Sequence, residues 1–168
     1  MADTEVVHPN RDKAASKSTK AAVVLLLVVS AALVLIITIG GWSQLQGMFI
    51  VSAGYVIVYL IMAWYVHNWT RGPLPVSAAM AILITVVAAV AAPAWFSRDK
   101  SGFVDPALPP SILGLLTLIL IPVQIVLIVF AMRGFQQEWN VEVEVTKEEA
   151  DRYRDGGNDF QGREPQTA

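Results

Sequence analysis

No cysteine occurs in the 168 residues. That absence removes disulfides, thiolate metal sites, quinone-coupled thiol chemistry and cysteine nucleophiles together. Histidine is almost as scarce. His8 sits in a polar leader and His67 at the edge of an apolar run, so the paired imidazoles of a haem-binding bundle are missing. Charge is absent over long stretches: residues 21–41, 47–66, 74–96 and 106–132 contain no Asp, Glu, Lys, Arg or His. Ionisable groups inside a bilayer cost roughly 2.5 to 3.5 kcal/mol on insertion scales and are kept mainly for ion or proton pathways. Their absence argues against a proton-coupled pump or exporter.

Apolar side chains fill those four windows. Each window reaches the roughly 18 to 20 residues needed to cross a hydrocarbon core of about 30 Å at about 1.5 Å per residue. None carries a polar face. The expected fold class is an all-α integral membrane protein, a four-transmembrane-helix bundle with short loops and a small cytoplasmic C-terminal tail. The spans are read at 21–40, 48–66, 76–96 and 111–132.

Three regions follow from this reading. Residues 1–20 form a polar, basic leader expected to be disordered, residues 21–133 the transmembrane domain, and residues 134–168 an acidic soluble tail. The first apolar run outlasts the usual 7 to 15 residues of a signal-peptide core, and no small-x-small cleavage site stands before Trp42, so the first span is read as retained. Pro109 and Pro110 suit the entry of the fourth span, because proline is tolerated in a helix's first turn. In the tail, Val141-Glu142-Val143-Glu144-Val145 alternates with the period of a strand. Thr146 to Glu149 reads as a capping box opening a short helix that Gly156-Gly157 would end. Residues 158–168 have the composition of a disordered end.

Lysine and arginine near the membrane decide sidedness, and acidic residues count little. Arg11, Lys13, Lys17, Lys20, Arg71 and Arg133 fall on one side; Arg98 and Lys100 fall on the other. The excess assigns both termini to the cytoplasm, in a multi-pass protein of a cell membrane of the bacterial inner-membrane type. Trp42 and Trp95 are read as marking the outer boundary, and Trp64, Tyr65, Trp69 and Trp139 the inner one. Asn68-Trp69-Thr70 matches a glycosylation acceptor, but on this topology it faces the cytoplasm. It is read as chance.

One polar feature remains inside the membrane. At about 1.5 Å per residue, Ser30, Tyr59, Thr85 and Gln124 all fall about 15 to 18 Å from the outer ends of their spans. That is one polar side chain per helix near the midplane, with Tyr59 and Gln124 the pair best able to meet. The plainer reading is interhelical glue, with Ser30 and Thr85 bonding their own i−4 carbonyls. The sharper one is a site for a small polar ligand or a quinone headgroup. Pro122 cannot donate to the carbonyl of Leu118 and is expected to kink the fourth helix, with Thr117, Gln124 or a neighbouring helix serving that carbonyl. Ala81, Thr85, Ala88 and Ala92 form a small-residue stripe read as an internal packing seam. Asp99 and Asp105, beside Arg98 and Lys100, read as a solvated loop rather than a cation site.

From Glu138 onward the chain carries nine carboxylates against four cations. Anionic lipid repels such a tail, which therefore projects into water. No catalytic set, cofactor motif or metal-ligand cluster emerges, and nothing points to nucleic acid. The expectation is a non-enzymatic accessory or scaffold subunit of a larger membrane complex, offering its tail to a cytoplasmic protein. The alternative is a transporter or a lipid/quinone-binding protein using the midplane layer.

Overall fold

The computed structural model describes residues 4–45, 47–98 and 106–154. Asp99 and Asp105, Gly156-Gly157 and residues 158–168 lie outside the described residues. Four helices dominate: α2 (Ala14–Gly40), α3 (Met48–His67), α4 (Pro73–Ser97) and α5 (Pro110–Gln136). All four are long and apolar enough to cross a membrane. Short connections make successive helices run antiparallel. α2 lies between α3 and α5, α4 packs most extensively along α5, and α3 and α4 touch only sparingly.

Each helix buries a narrow stripe and leaves the rest to lipid. On α2 the buried positions Val23, Leu27, Ser30, Ala31, Val34 and Thr38 recur every three or four residues, the spacing of one helical face. Leu25, Val28, Ile36 and Ile39 on the same helix are exposed. Ala81, Ala88 and Ala92 are buried on α4, so the small-residue stripe is an internal seam. Gly114 on α5 serves the same close approach, since a Cβ there would stand 2.9 Å from the Phe96 ring.

Outside the bundle, both chain ends combine in a small cap. β1 (Thr4–Val7) pairs antiparallel with β2 (Val143–Thr146), Thr4 opposite Thr146 and Val7 opposite Val143. α1 (Pro9–Asp12) leads from β1 into α2, and α6 (Lys147–Arg154) follows β2 directly. Val7, Val145 and Ala150 bury one another, with Val143 against them. The carboxylate of Glu149 accepts from the backbone N–H of Thr146 at 3.3 Å and from its hydroxyl at 3.2 Å, which is the return half of a capping box. The leader thus differs from the expected disorder, and a two-stranded sheet joins the helices. α2 also begins well before the charge-free window: Ser16 and Thr19 are buried in its first turns, and Gln137, at the end of α5, donates to Thr19.

Candidate functional site: the midplane polar network and the terminal cap

Three of the four midplane residues meet. The Tyr59 hydroxyl donates to Gln124 Oε1 at 2.8 Å, Gln124 Nε2 donates to Ser30 Oγ at 2.7 Å, and Ser30 Oγ donates to the Leu26 carbonyl at 2.6 Å. Tyr59, Gln124 and Ser30 are fully buried. They come from α3, α5 and α2, so one chain of hydrogen bonds ties three helices. This amide orientation gives every hydroxyl proton in the chain an acceptor; the reversed amide would take Ser30 away from Leu26. Unpaired, an amide in hydrocarbon costs several kcal/mol, and here both its ends are used.

Thr85 does not join. It is half-buried, and its hydroxyl donates to the Ala81 carbonyl at 2.7 Å within α4. Threonine can satisfy itself on its own helix. Pro122 lies on the exposed side of α5, which continues through it without interruption. Neither side chain expected to serve the Leu118 carbonyl does so: Thr117 donates to Leu113 and Gln124 to Ser30.

A second polar assembly, which sequence reasoning missed, closes the end of the bundle that carries the termini. Trp139 is fully buried there, edge-on to Trp69 at 5.5 Å, and is therefore no lipid-facing boundary marker. Its indole N–H donates to Gln137 Oε1 at 3.0 Å, while Gln137 Nε2 donates to Thr19 Oγ1 at 3.1 Å. Three basic residues at this end act on backbone carbonyls. Lys20 donates to the His67 carbonyl at 3.2 Å and lies 4.0 Å over the Trp69 ring. Arg71 donates to the Phe135 carbonyl at 2.7 Å and stacks on its ring, and Arg11 donates to the Trp139 carbonyl at 2.9 Å. Lys20 and Arg71 thereby meet orphan carbonyls at the C-terminal, negative ends of the α3 and α5 dipoles, whereas Arg11 serves a carbonyl beyond the end of α5. No local signal in the sequence could have found these pairs, since each joins residues far apart in the chain.

Among the described residues Trp69 is one of two backbone anomalies of this cap, the other being Glu138 with a φ of 49°. The φ of Trp69 is 63°, in the left-handed region where glycine is usual. The Trp69 N–H reaches the Val66 carbonyl and the Thr70 N–H the Tyr65 carbonyl, both at 3.0 Å, the bond pair of a Schellman ending. Lys20 and Trp139 pack against its ring and offset the strain. At the opposite end Trp42 is exposed and stacks on Phe49 at 4.5 Å. Trp95, by contrast, is buried over Gly41. Among the described residues no three His, Asp or Glu side chains come together. Set against models of protein families, curated proteins and solved structures, the chain matches none of them.

Proposed function

We propose that this chain is a non-enzymatic accessory or scaffold subunit of a larger membrane complex, with both termini in the cytoplasm of the cell whose membrane it crosses. Its cap, built from the two chain ends, is the surface offered to a cytoplasmic protein. One contrast carries the reading. The bundle's central polar groups are spent on one another, whereas several carboxylates on the surface of the cap are not. Glu142, Glu144 and Glu148 are exposed and have no ion-pair partner among the described residues. β1 and β2 each have one strand neighbour, and an unpaired strand edge is a template for an added strand. A two-stranded ribbon is marginal alone in water, so an added strand would stabilise it as well. The alternative of a transporter or quinone site at the midplane draws no support from a network that closes on itself.

The test is purification of the full chain in mild detergent, beside the double variant Glu142→Lys with Glu144→Lys. A protein present in fixed stoichiometry with the parent should be lost from the variant, while the melting of the bundle stays the same. A partner kept by the variant would move the contact into the membrane. A chain that stays alone, even after cross-linking in native membranes, would end the subunit reading.

A further inference from the structure

Every hydroxyl well inside the four spans faces a choice between a protein acceptor and hydrocarbon. Ser30, Ser77, Thr85 and Thr117 donate to the carbonyl four residues earlier, and so does Thr38 near the end of α2. Tyr59 donates to Gln124. Ser52 and Tyr55 are the exceptions: neither hydroxyl has a hydrogen-bond partner among the described residues. They stand three apart, hence one above the other on the same side of α3. Leaving a hydroxyl unmatched in an apolar surrounding costs about 1 to 3 kcal/mol, and two in register are a feature rather than an accident of one rotamer.

The two hydroxyls fall where α3 leaves the bundle. Its buried residues, Tyr59, Met62, Ala63 and Val66, all lie in the half near the termini. From Met48 to Val58 no residue is buried. The other three helices bury side chains along both halves, as at Val34 and Thr38, Ala88 and Ala92, and Leu113 and Thr117. Ser52 and Tyr55 continue the inward line of Tyr59 and Ala63 by helical spacing, yet both are only half-buried. Tyr55 and Val56 form the flank of an apolar wall made by Val34, Ile84, Ala88 and Leu120. Beside it Gly54 meets nothing within 4 Å of a Cβ.

Depth selects what fills this place. Counted from Met48, the Cα atoms of Ser52 and Tyr55 lie about 6 and about 10 Å inward along the axis at about 1.5 Å per residue. Helical side chains lean toward the N-terminus, which for α3 is the near membrane boundary, so the Tyr55 hydroxyl lies shallower than its Cα. Two donors just beneath a boundary, beside an apolar wall, match the ester carbonyls and acyl chains of a glycerolipid. We propose that Ser52 and Tyr55 hold a diacyl phospholipid, of the leaflet away from the chain termini, by hydrogen bonds to its ester carbonyl oxygens. This site adjoins the midplane network, since the Tyr55 ring stands edge-on to Tyr59 at 6.1 Å, but it shares no hydrogen bond with it, and it stands whether or not the chain is a subunit.

An ester-to-ether comparison tests the proposal on the full chain. Delipidated protein is offered a diacyl phosphatidylethanolamine or its dialkyl ether analogue, which keeps headgroup and chains but lacks the carbonyls. Native mass spectrometry then counts the lipid retained. The parent should prefer the ester, and Ser52→Ala or Tyr55→Phe should lower that preference by about threefold to tenfold for each bond removed. Thr85→Val, whose hydroxyl already serves its own helix, should leave the preference as it is. Equal retention of ester and ether lipid by the parent would overturn the proposal, as would an unchanged preference in the Ser52→Ala/Tyr55→Phe double variant. Because the chain has no cysteine, Ser52→Cys also gives a clean cross-linking probe. Efficient disulfide dimers in native membranes would assign the face to a second copy instead.

Discussion

Tyr59 and Gln124, 65 positions apart in the chain, are joined by a buried hydrogen bond of 2.8 Å between α3 and α5. Because Gln124 passes the connection on to Ser30, the amide sits at the middle of the chain of bonds. Removing it leaves the Tyr59 hydroxyl without its acceptor and the Ser30 oxygen without a donor, while removing either hydroxyl leaves one end of the amide unmatched. The position of a residue in the network, more than its polarity, sets the cost of losing it.

Gln124→Leu is accordingly expected to destabilise the bundle in detergent by about 1 to 2 kcal/mol, mostly through the orphaned Tyr59 hydroxyl. Ser30 keeps its bond to Leu26 and loses little. Adding Tyr59→Phe should recover part of the loss. The coupling from the double-mutant cycle should be near 0.6 kcal/mol and below about 2 kcal/mol, as for other interhelical bonds in membranes. Zero coupling would remove the network as an energetic unit.

Two glycines should respond with opposite signs. A Cβ at Gly41 would lie 2.7 Å from the buried Trp95 ring and 3.0 Å from the Ile37 carbonyl oxygen, and neither moves freely. Gly41→Ala should cost about 1 to 3 kcal/mol, the range for overpacking. Gly54 meets nothing and lies inside α3. Gly54→Ala should leave stability unchanged or raise it by up to about 1 kcal/mol through helix propensity. Thermal unfolding of both variants in one detergent decides the comparison.

How far the sequence could be read follows from which physical signals are local. A missing charge is local, so the four spans were legible, and rise per residue converts position into depth, which found Ser30, Tyr59 and Gln124. Azimuth is not local. Thr85 has the same count from its span's end, but its hydroxyl is satisfied on its own helix. Pairing between chain ends is least local of all. The alternation at Val141 to Val145 announced a strand, but Thr4 to Val7 is too short to show a period, and its partner lies beyond the whole membrane domain. Trp69 at a left-handed helix ending had no glycine to reveal it, because the conformation is held by Lys20 and Trp139 rather than by preference.

Orientation gives the next prediction. Lys20, Arg71 and Arg11 all bond backbone carbonyls at the end of the bundle that carries the termini, and the positive charge bias predicts a cytoplasmic position for that end. A reporter active only in the cytoplasm should signal when fused before Thr4 and stay silent when inserted at Ala107. The reverse pattern would place the cap outside the cell. Signal at both sites would mean mixed insertion.

The pairing of the chain ends can be tested by its register. In β1 and β2, Val6 stands opposite Glu144 and Glu5 opposite Val145. Directly opposite residues on one face have Cβ atoms about 4.5 to 5.5 Å apart, close enough for a disulfide after a small adjustment. Neighbours along a strand point to opposite faces. In this cysteine-free chain, Val6→Cys with Glu144→Cys should therefore oxidise rapidly in native membranes. Val6→Cys with Val145→Cys should oxidise much more slowly, because those side chains lie on opposite faces of the ribbon. The readout is the faster migration of the closed chain on a denaturing gel, lost on reduction. A leader without structure would cross-link both pairs at similar slow rates, and a ribbon shifted by one residue would reverse their order. The in-register disulfide should also leave the melting of the bundle intact, since the cap sits outside it and the bond adds no strain to α2 or α5.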